Sequence, residues 1–171
     1  MITTKSTITQ SNDEIINNFK KEYDQIKDCL YNYDKKVINS ANESNEGKQI
    51  IGYYDKNNIK LIEVLSFGET GKRKIEYYFN KEQLFFVYDS DYRYNRPIYW
   101  NEKEAKKNND SESFDIKKTT SSEDMYYFYN GQLIRWIRPN GKYGDSKLAY
   151  YKNLEIQIPN HANEMKKKLN K

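Results

Sequence analysis

What this chain has little of narrows its chemistry first. It holds one cysteine, Cys29, and one histidine, His161. A lone thiol excludes an intramolecular disulfide and a multi-cysteine zinc site. With a single imidazole as well, a transition-metal site would have to rest on carboxylates, which hold such ions poorly. No metal and no cofactor are therefore expected. A histidine-based triad needs His161, a nucleophile and an acid to converge, and nothing in the sequence brings them together. No catalytic residue is assigned; His161 is expected as an exposed residue at a helix start. No stretch approaches 18 apolar residues, so no transmembrane segment is expected.

Charge of one sign is also missing. The 29 basic and 25 acidic residues are interspersed and leave a net charge of +4. Nucleic-acid binders gather Lys and Arg on one face or in one run. The one dense run, Lys166-Lys167-Lys168, reads as a solvated helix end, so no nucleic-acid partner is expected. The opening Met1–Ser6 lacks the apolar core of a signal peptide. A Thr/Ser/Gln-rich start ahead of a helix cap is also what a trimmed leader with an added Met leaves behind. Such a start leaves the native address open.

A mean hydropathy of −1.10 raises the question of disorder, but 15% of residues are aromatic and the net charge is small. Disordered chains combine few aromatics with high net charge. The expectation is one folded domain, which at this length buries about 70% of its unfolded surface. The 17 tyrosines accompany abundant Lys, Asn and Ile, all with A/T-rich codons, and read as codon usage rather than function.

After a loose stretch over 1–10, a helix is predicted from 11 to about 41. Ser11, Asn12 or Asp13 caps it, and Asp13 and Glu14 suit the first turn. Ile16, Phe19, Tyr23, Ile26, Leu30, Tyr33 and Val37 are spaced alternately by three and four, an apolar stripe that suits packing across a sheet. Cys29 borders this stripe and reads as a partly buried, inert thiol.

From 48 to 99 the period becomes two. Lys48–Lys56 and Ile59–Phe67 flank an Asn57-Asn58 turn, and Lys72–Asn80 and Gln83–Asp89 flank Lys81-Glu82. A two-residue turn at Lys81-Glu82 sets Phe79 opposite Leu84 and Tyr77 opposite Phe86, giving one wholly apolar face. A polar excursion covers 100–122, with a short helix around Glu102–Lys107. A second hairpin, 123–139, turns at Asn130-Gly131, the strongest short hairpin signal. Over 146–171, a helix is expected for 160–169. The stretch 146–158 fits either a strand or a helix capped by Asp145 or Ser146, with Pro159 opening a new helix.

Motifs that suggest chemistry dissolve on inspection. Gly68-Glu69-Thr70-Gly71-Lys72 has the wrong spacing for a phosphate loop and joins two strands. Asp89-Ser90-Asp91 lacks the further oxygens and the glycine of a calcium loop and reads as a strand-end turn. Two stretches remain with the composition of interfaces: Tyr92, Arg93 and Arg96 before Pro97, and Arg135, Trp136 and Arg138 before Pro139. The competing reading is that each Arg simply stacks on a neighbouring ring.

Residues 77–88, YYFNKEQLFFVY, and 126–137, YYFYNGQLIRWI, match without a gap at five positions. The echo reads as hairpin grammar, with the departures from it as the binding candidates. Phe86 becomes Arg135, set opposite Tyr126 on the face that is apolar in the first copy. The Tyr-Tyr-x-x-Asn-Gly-x-Leu unit at Tyr126–Leu133, and loosely Tyr53–Leu61, resembles hairpins of MORN-variant-type bacterial repeat proteins, without their regular glycines. The helix followed by a Tyr-rich meander is similar to small bacterial exported or lipid-anchored proteins. That resemblance implies an envelope address, periplasmic or extracellular in preference to cytoplasmic, and no catalytic residues.

The fold expected is α+β: a long N-terminal helix packed on an antiparallel β-meander of about six or seven strands, with a C-terminal helix. The function expected is a non-catalytic binding or interaction module, its partner another protein or an envelope component. It would use one sheet face bearing Tyr92, Arg93, Arg96, Tyr126, Arg135, Trp136 and Arg138. Two alternatives stand beside it: a hydrolase using Asp/Glu chemistry, and an inhibitor or structural partner acting through a protruding loop.

Overall fold

The computed structural model describes residues 10–41 and 47–171; of the loose N-terminal stretch expected over 1–10, residues 1–9 lie outside them. Helix α1 spans Asn12–Asp28 and is followed by a 3₁₀ turn, Leu30–Asn32. Strands β1 (Asp34–Ala41), β2 (Gly47–Asp55), β3 (Asn58–Gly68), β4 (Gly71–Asn80) and β5 (Gln83–Arg93) come next. A connection holding α2 (Glu102–Lys107) leads to β6 (Thr120–Tyr129), β7 (Gln132–Ile137) and α3 (Ala149–Leu169). All seven strands form one antiparallel sheet in sequence order.

The α+β expectation holds, with a shorter first helix. Ser11 closes a capping box with Glu14, and the helix ends at Asp28 instead of running to 41. The stripe from Ile16 to Tyr33 does pack against the sheet, but Val37 belongs to β1 and is 49% exposed. Its spacing continues the heptad by coincidence. Residues 34–41 instead pair with β2, whose backbone groups would otherwise lie on an edge.

The two helices cover opposite faces. α1 lies with Tyr53, Leu61, Tyr78, Phe85, Phe86 and Tyr127. α3 places Tyr151, Leu154, Ala162, Met165 and Leu169 against Ile50, Ile62, Phe79 and Phe128. The ambiguous 146–158 segment is helical from 149 onward, because its three-four stripe runs on unbroken into 160–169 and buries with it. Neither Asp145 nor Ser146 caps α3; Leu148 stands there without a side-chain bond. Pro159 sits inside α3 instead of opening a second helix. It removes an N–H from the helix ladder, a cost of about 3 kcal/mol that packing on both sides outweighs. Pro159→Ala is therefore expected to raise stability by about 1–3 kcal/mol, read as a higher urea midpoint at constant slope; an unchanged midpoint would refute it.

The echo between the hairpins is a shared bulge. The Lys81-Glu82 turn and the Phe79–Leu84 pair are as expected, but the register then slips by one, so that Tyr78 faces Phe86 and Tyr77 faces Val87. The second hairpin does the same: Phe128 pairs with Leu133, Tyr127 with Arg135 and Tyr126 with Trp136. A third copy joins Tyr54 to Ile59 and Tyr53 to Leu61, around a turn one residue earlier than the expected Asn57-Asn58. In each copy the extra residue (Lys60, Phe85 or Ile134) throws the following one, Leu61, Phe86 or Arg135, onto the α1 face. The expected Tyr77/Phe86 and Tyr126/Arg135 pairs are thus replaced.

Sheet pairing also overrides local composition elsewhere. Asp89-Ser90-Asp91 lies within β5, not at a strand end, and the polar residues 120–124 pair with it as part of β6. The remaining excursion is braced around Asp110. That carboxylate accepts from Arg96 at 2.7 and 3.1 Å, from Trp100 Nε1 at 3.1 Å and from the Glu112 amide at 3.0 Å.

Under the end of α1, the sheet buries two glutamates directly opposite each other, Glu63 and Glu76. Lys74 Nζ lies 3.0 Å from both. Tyr53 donates to Glu63 at 2.8 Å and Tyr78 to Glu76 at 3.1 Å, while Lys27 reaches Glu76 at 3.4 Å. No buried side-chain polar atom among the described residues lacks a partner, as a low-dielectric interior requires.

Candidate functional site

The residues singled out from sequence do not share one face. Arg135 points to the α1 side, pairs with Asp13 at 2.7 Å and stacks on Tyr143. Trp136 and Tyr126 stack on each other on the α3 side, where Trp136 Nε1 donates to Asp124 at 2.7 Å and Arg138 lies over its ring. Arg96 is spent on Asp110. Tyr92 carries Lys72 over its ring, and the neighbouring Arg93 pairs with Asp91 in solvent. Most of these arginines are thus satisfied within the chain, by a ring or a carboxylate. The bulge is the reason for the split: it moves Arg135 to the face opposite Trp136 and Tyr126.

Among the depressions on the described residues, three bear on function. The largest, about 560 Å³, is an open hollow at the strand ends around Gly68, Gly71 and Tyr92. A second, about 300 Å³, is an apolar groove beside α1 between Phe19, Tyr23, Tyr88 and Met125. The third, about 260 Å³, lies between α3 and strands β4 to β6, where charged, phenol, amide and imidazole groups meet an apolar lining.

Strand alternation builds this third cleft. Arg73, Ile75 and Tyr77 are every second residue of β4, Val87 and Asp89 of β5, and Tyr126 joins them from β6. The helical repeat supplies Tyr150, Leu154, Gln157, Ile158 and His161 from α3. Arg73 makes a two-pronged pair with Asp89 at 2.8 and 2.5 Å, which keeps the guanidinium ionised at any pH the protein meets. Asp124 lies directly across from Asp89. Burial raises its carboxyl above the ordinary value; the Trp136 hydrogen bond opposes this and the Asp89 charge adds to it.

His161 was expected to be exposed at a helix start and is instead half-buried in this cleft. Its Nδ1 lies 2.5 Å from the Tyr77 hydroxyl. Burial, with Lys48 next, lowers the imidazole's affinity for a proton, so near neutral pH Nδ1 accepts from Tyr77. Burial likewise raises Tyr77 and Tyr126 well above the ordinary phenol value, so both stay protonated. The cleft therefore presents one balanced ion pair among neutral hydroxyl, amide and imidazole groups. Tyr126 is the one sequence candidate that lines it. Arg73, Asp89 and His161 were missed because each reads alone as a surface charge or a strand end; period-two alternation across β4 and β5 was the available signal.

In structural terms the fold and cleft define a class: an α+β domain whose seven-stranded antiparallel meander carries one helix on each face. Comparison with known proteins finds no family model, no curated protein and no solved structure that matches the chain. Among the described residues no helix is long and apolar enough to cross a membrane, and no cluster of three potential metal ligands occurs.

Proposed function

We propose that the protein is a non-catalytic binding module and that the cleft between α3 and strands β4 to β6 is its site. The observation that carries this reading is the convergence there of Arg73, Asp89, Tyr126, Gln157 and His161 over an apolar floor, the composition of sites that fix small polar ligands. The volume suits a small molecule or the terminal group of a larger envelope component. Carboxylates free to act as acid and base are what a hydrolase requires. Asp89 is held by Arg73, Asp124 by Trp136, and Glu63 and Glu76 by Lys74, which favours binding over hydrolysis.

The test is a small-molecule library followed by amide NMR shifts. Hits are expected to move amides of 73–77, 87–89 and 157–161, and Gln157→Trp, which fills the mouth from the exposed side of α3, should abolish them without changing circular dichroism. Hits confined to the α1 groove would overturn the assignment. A second reading, action on a partner protein through a protruding loop, is favoured by the Asp110-braced excursion, which leaves Ile98 and Tyr99 each 53% exposed. Grafting a charge at Ile98 would then abolish partner capture and leave cleft ligands unaffected.

A further inference from the structure

Resting on the cleft as the binding site, we propose that its ligand is a neutral polyhydroxylated molecule, a single saccharide ring or the end of a saccharide chain. The charge pattern of the lining comes first. Arg73 and Asp89 cancel; the phenols of Tyr77 and Tyr126 and the His161 ring are neutral near pH 7, and the Tyr150 hydroxyl and Gln157 amide stand beside them. An anionic ligand would set its charge beside Asp89, with Asp124 directly across the strand pair. A cation would meet Arg73 and find its carboxylate partner already engaged at 2.5 Å.

A purely apolar ligand fits no better. It would strip water from the polar rim and return no hydrogen bonds, and each group left unpaired is penalised. Hydroxyls answer that rim well. Phenol and amide groups both donate and accept, as sugar hydroxyls do. The Arg73–Asp89 pair uses Nε and one terminal nitrogen of the guanidinium, which leaves the other terminal nitrogen able to donate. Its side chain is 54% exposed, so this edge is reachable. Beneath the rim, Ile75, Val87, Leu154 and Ile158 form an apolar floor that matches the C–H face of a pyranose.

The test titrates the full chain, observed by amide NMR, with glucose, galactose, mannose, N-acetylglucosamine and their β-1,4-linked disaccharides. Glucuronate, glucosamine, inorganic phosphate and cyclohexanol serve as controls. Saturable shifts at 73–77, 87–89 and 157–161 are expected with at least one neutral sugar and not with cyclohexanol. Tyr126→Phe, which removes one hydroxyl, should weaken that binding about threefold to tenfold, the effect of one neutral hydrogen bond. Gln157→Ala, on the exposed side of α3, should do the same without touching the core. Tighter binding of glucuronate, glucosamine or phosphate at these amides overturns the ligand class and leaves the cleft a binding site. No shift from any sugar also overturns the ligand class. Sugar shifts confined to the α1 groove overturn both the class and the site.

Discussion

Replacing Lys74 with alanine is expected to destabilise the protein by about 3 kcal/mol, the lower end of the range for removing one partner of a buried ion pair. The lower end applies because the Lys74 side chain is 27% exposed and water can enter after it. For a chain of this length the melting temperature should fall by about 6–12 °C. The cause is geometric. Glu63 and Glu76 are opposite each other in the β3–β4 register, with side chains only 11% and 5% exposed; without Lys74 they keep the Tyr53 and Tyr78 hydroxyls, and among the described residues the one cation left in contact is Lys27, 3.4 Å from Glu76.

The pH dependence has a definite sign. In the parent protein burial opposes ionisation of Glu63, but hydrogen bonds from Lys74 and Tyr53 outweigh it and hold the carboxyl below its ordinary value of 4.5. A depressed folded-state value stabilises the native state above that ordinary value, and the contribution is lost as pH falls through the folded value. Lys74 is shifted the other way. Burial opposes its charge, yet Glu63 and Glu76 raise it above its ordinary 10.5. Its contribution is therefore present below 10.5 and lost as pH rises through the folded value. Removing Lys74 takes away the largest counterweight to burial at Glu63 and leaves the Tyr53 hydrogen bond and the more distant Lys27, so the Glu63 carboxyl binds a proton more readily in the folded state. The deficit of Lys74→Ala, measured by urea unfolding, should shrink between about pH 7 and about pH 5. A deficit that grows on acidification, or stays under about 1 kcal/mol at both values, would refute this account of the network.

Gly71→Ala should cost about 2–3 kcal/mol, as overpacking against backbone does. A Cβ at Gly71 would come 2.2 Å from the main-chain oxygen of Tyr92, an atom that cannot rotate away. Gly71 pairs with Arg93 at the end of β4 and β5. Beside it, the Tyr94 amide donates to the Thr70 carbonyl and the Ile98 amide to the Glu69 carbonyl, each at 2.9 Å. The expected readout is lower stability together with faster amide exchange at Tyr94 and Ile98, because the excursion is anchored at this point. Exchange unchanged at both amides would show that the clash relaxes elsewhere. Gly131→Ala provides the contrast: its Cβ would meet nothing within 4 Å, and only the left-handed φ of +79° opposes it, a smaller penalty.

Much of the architecture was legible because it depends on local rules. Asn130-Gly131 adopts positive φ at both residues, as a tight hairpin turn demands. The helical stripe expected over 160–169 forms the second half of α3, whereas 146–158 fitted strand and helix alike until the tertiary structure decided. Alternation along Lys72–Asn80 puts Ile75, Tyr77 and Phe79 on one face and Tyr78 on the other. The capping box at Ser11 and Glu14 is equally local.

Other features depend on what lies across the sheet, and local pattern misleads there. Residues 34–41 continue a helical spacing yet form β1, pairing with the edge of β2 that a helix projecting past the sheet would leave open. Residues 120–124 look like loop and become strand because β5 extends beside them. A bulge leaves no mark in side-chain periodicity near a turn, so the faces of Phe86, Arg135 and Trp136 emerge only from the paired strands.

The candidate site shows the same division. Sequence alone determined the hairpin turns at Lys81-Glu82 and Asn130-Gly131, the apolar stripe from Ile16 to Tyr33 and the helix over 160–169, and its single cysteine excludes an intramolecular disulfide. Only the tertiary structure decided that Arg135 braces Asp13 while Tyr126 faces a cleft with Arg73, Asp89 and His161. Those four come from β4, β5, β6 and α3, as far apart as 88 positions in sequence (161 − 73). No local pattern encodes such a meeting; the register of three strands and the crossing of one helix create it.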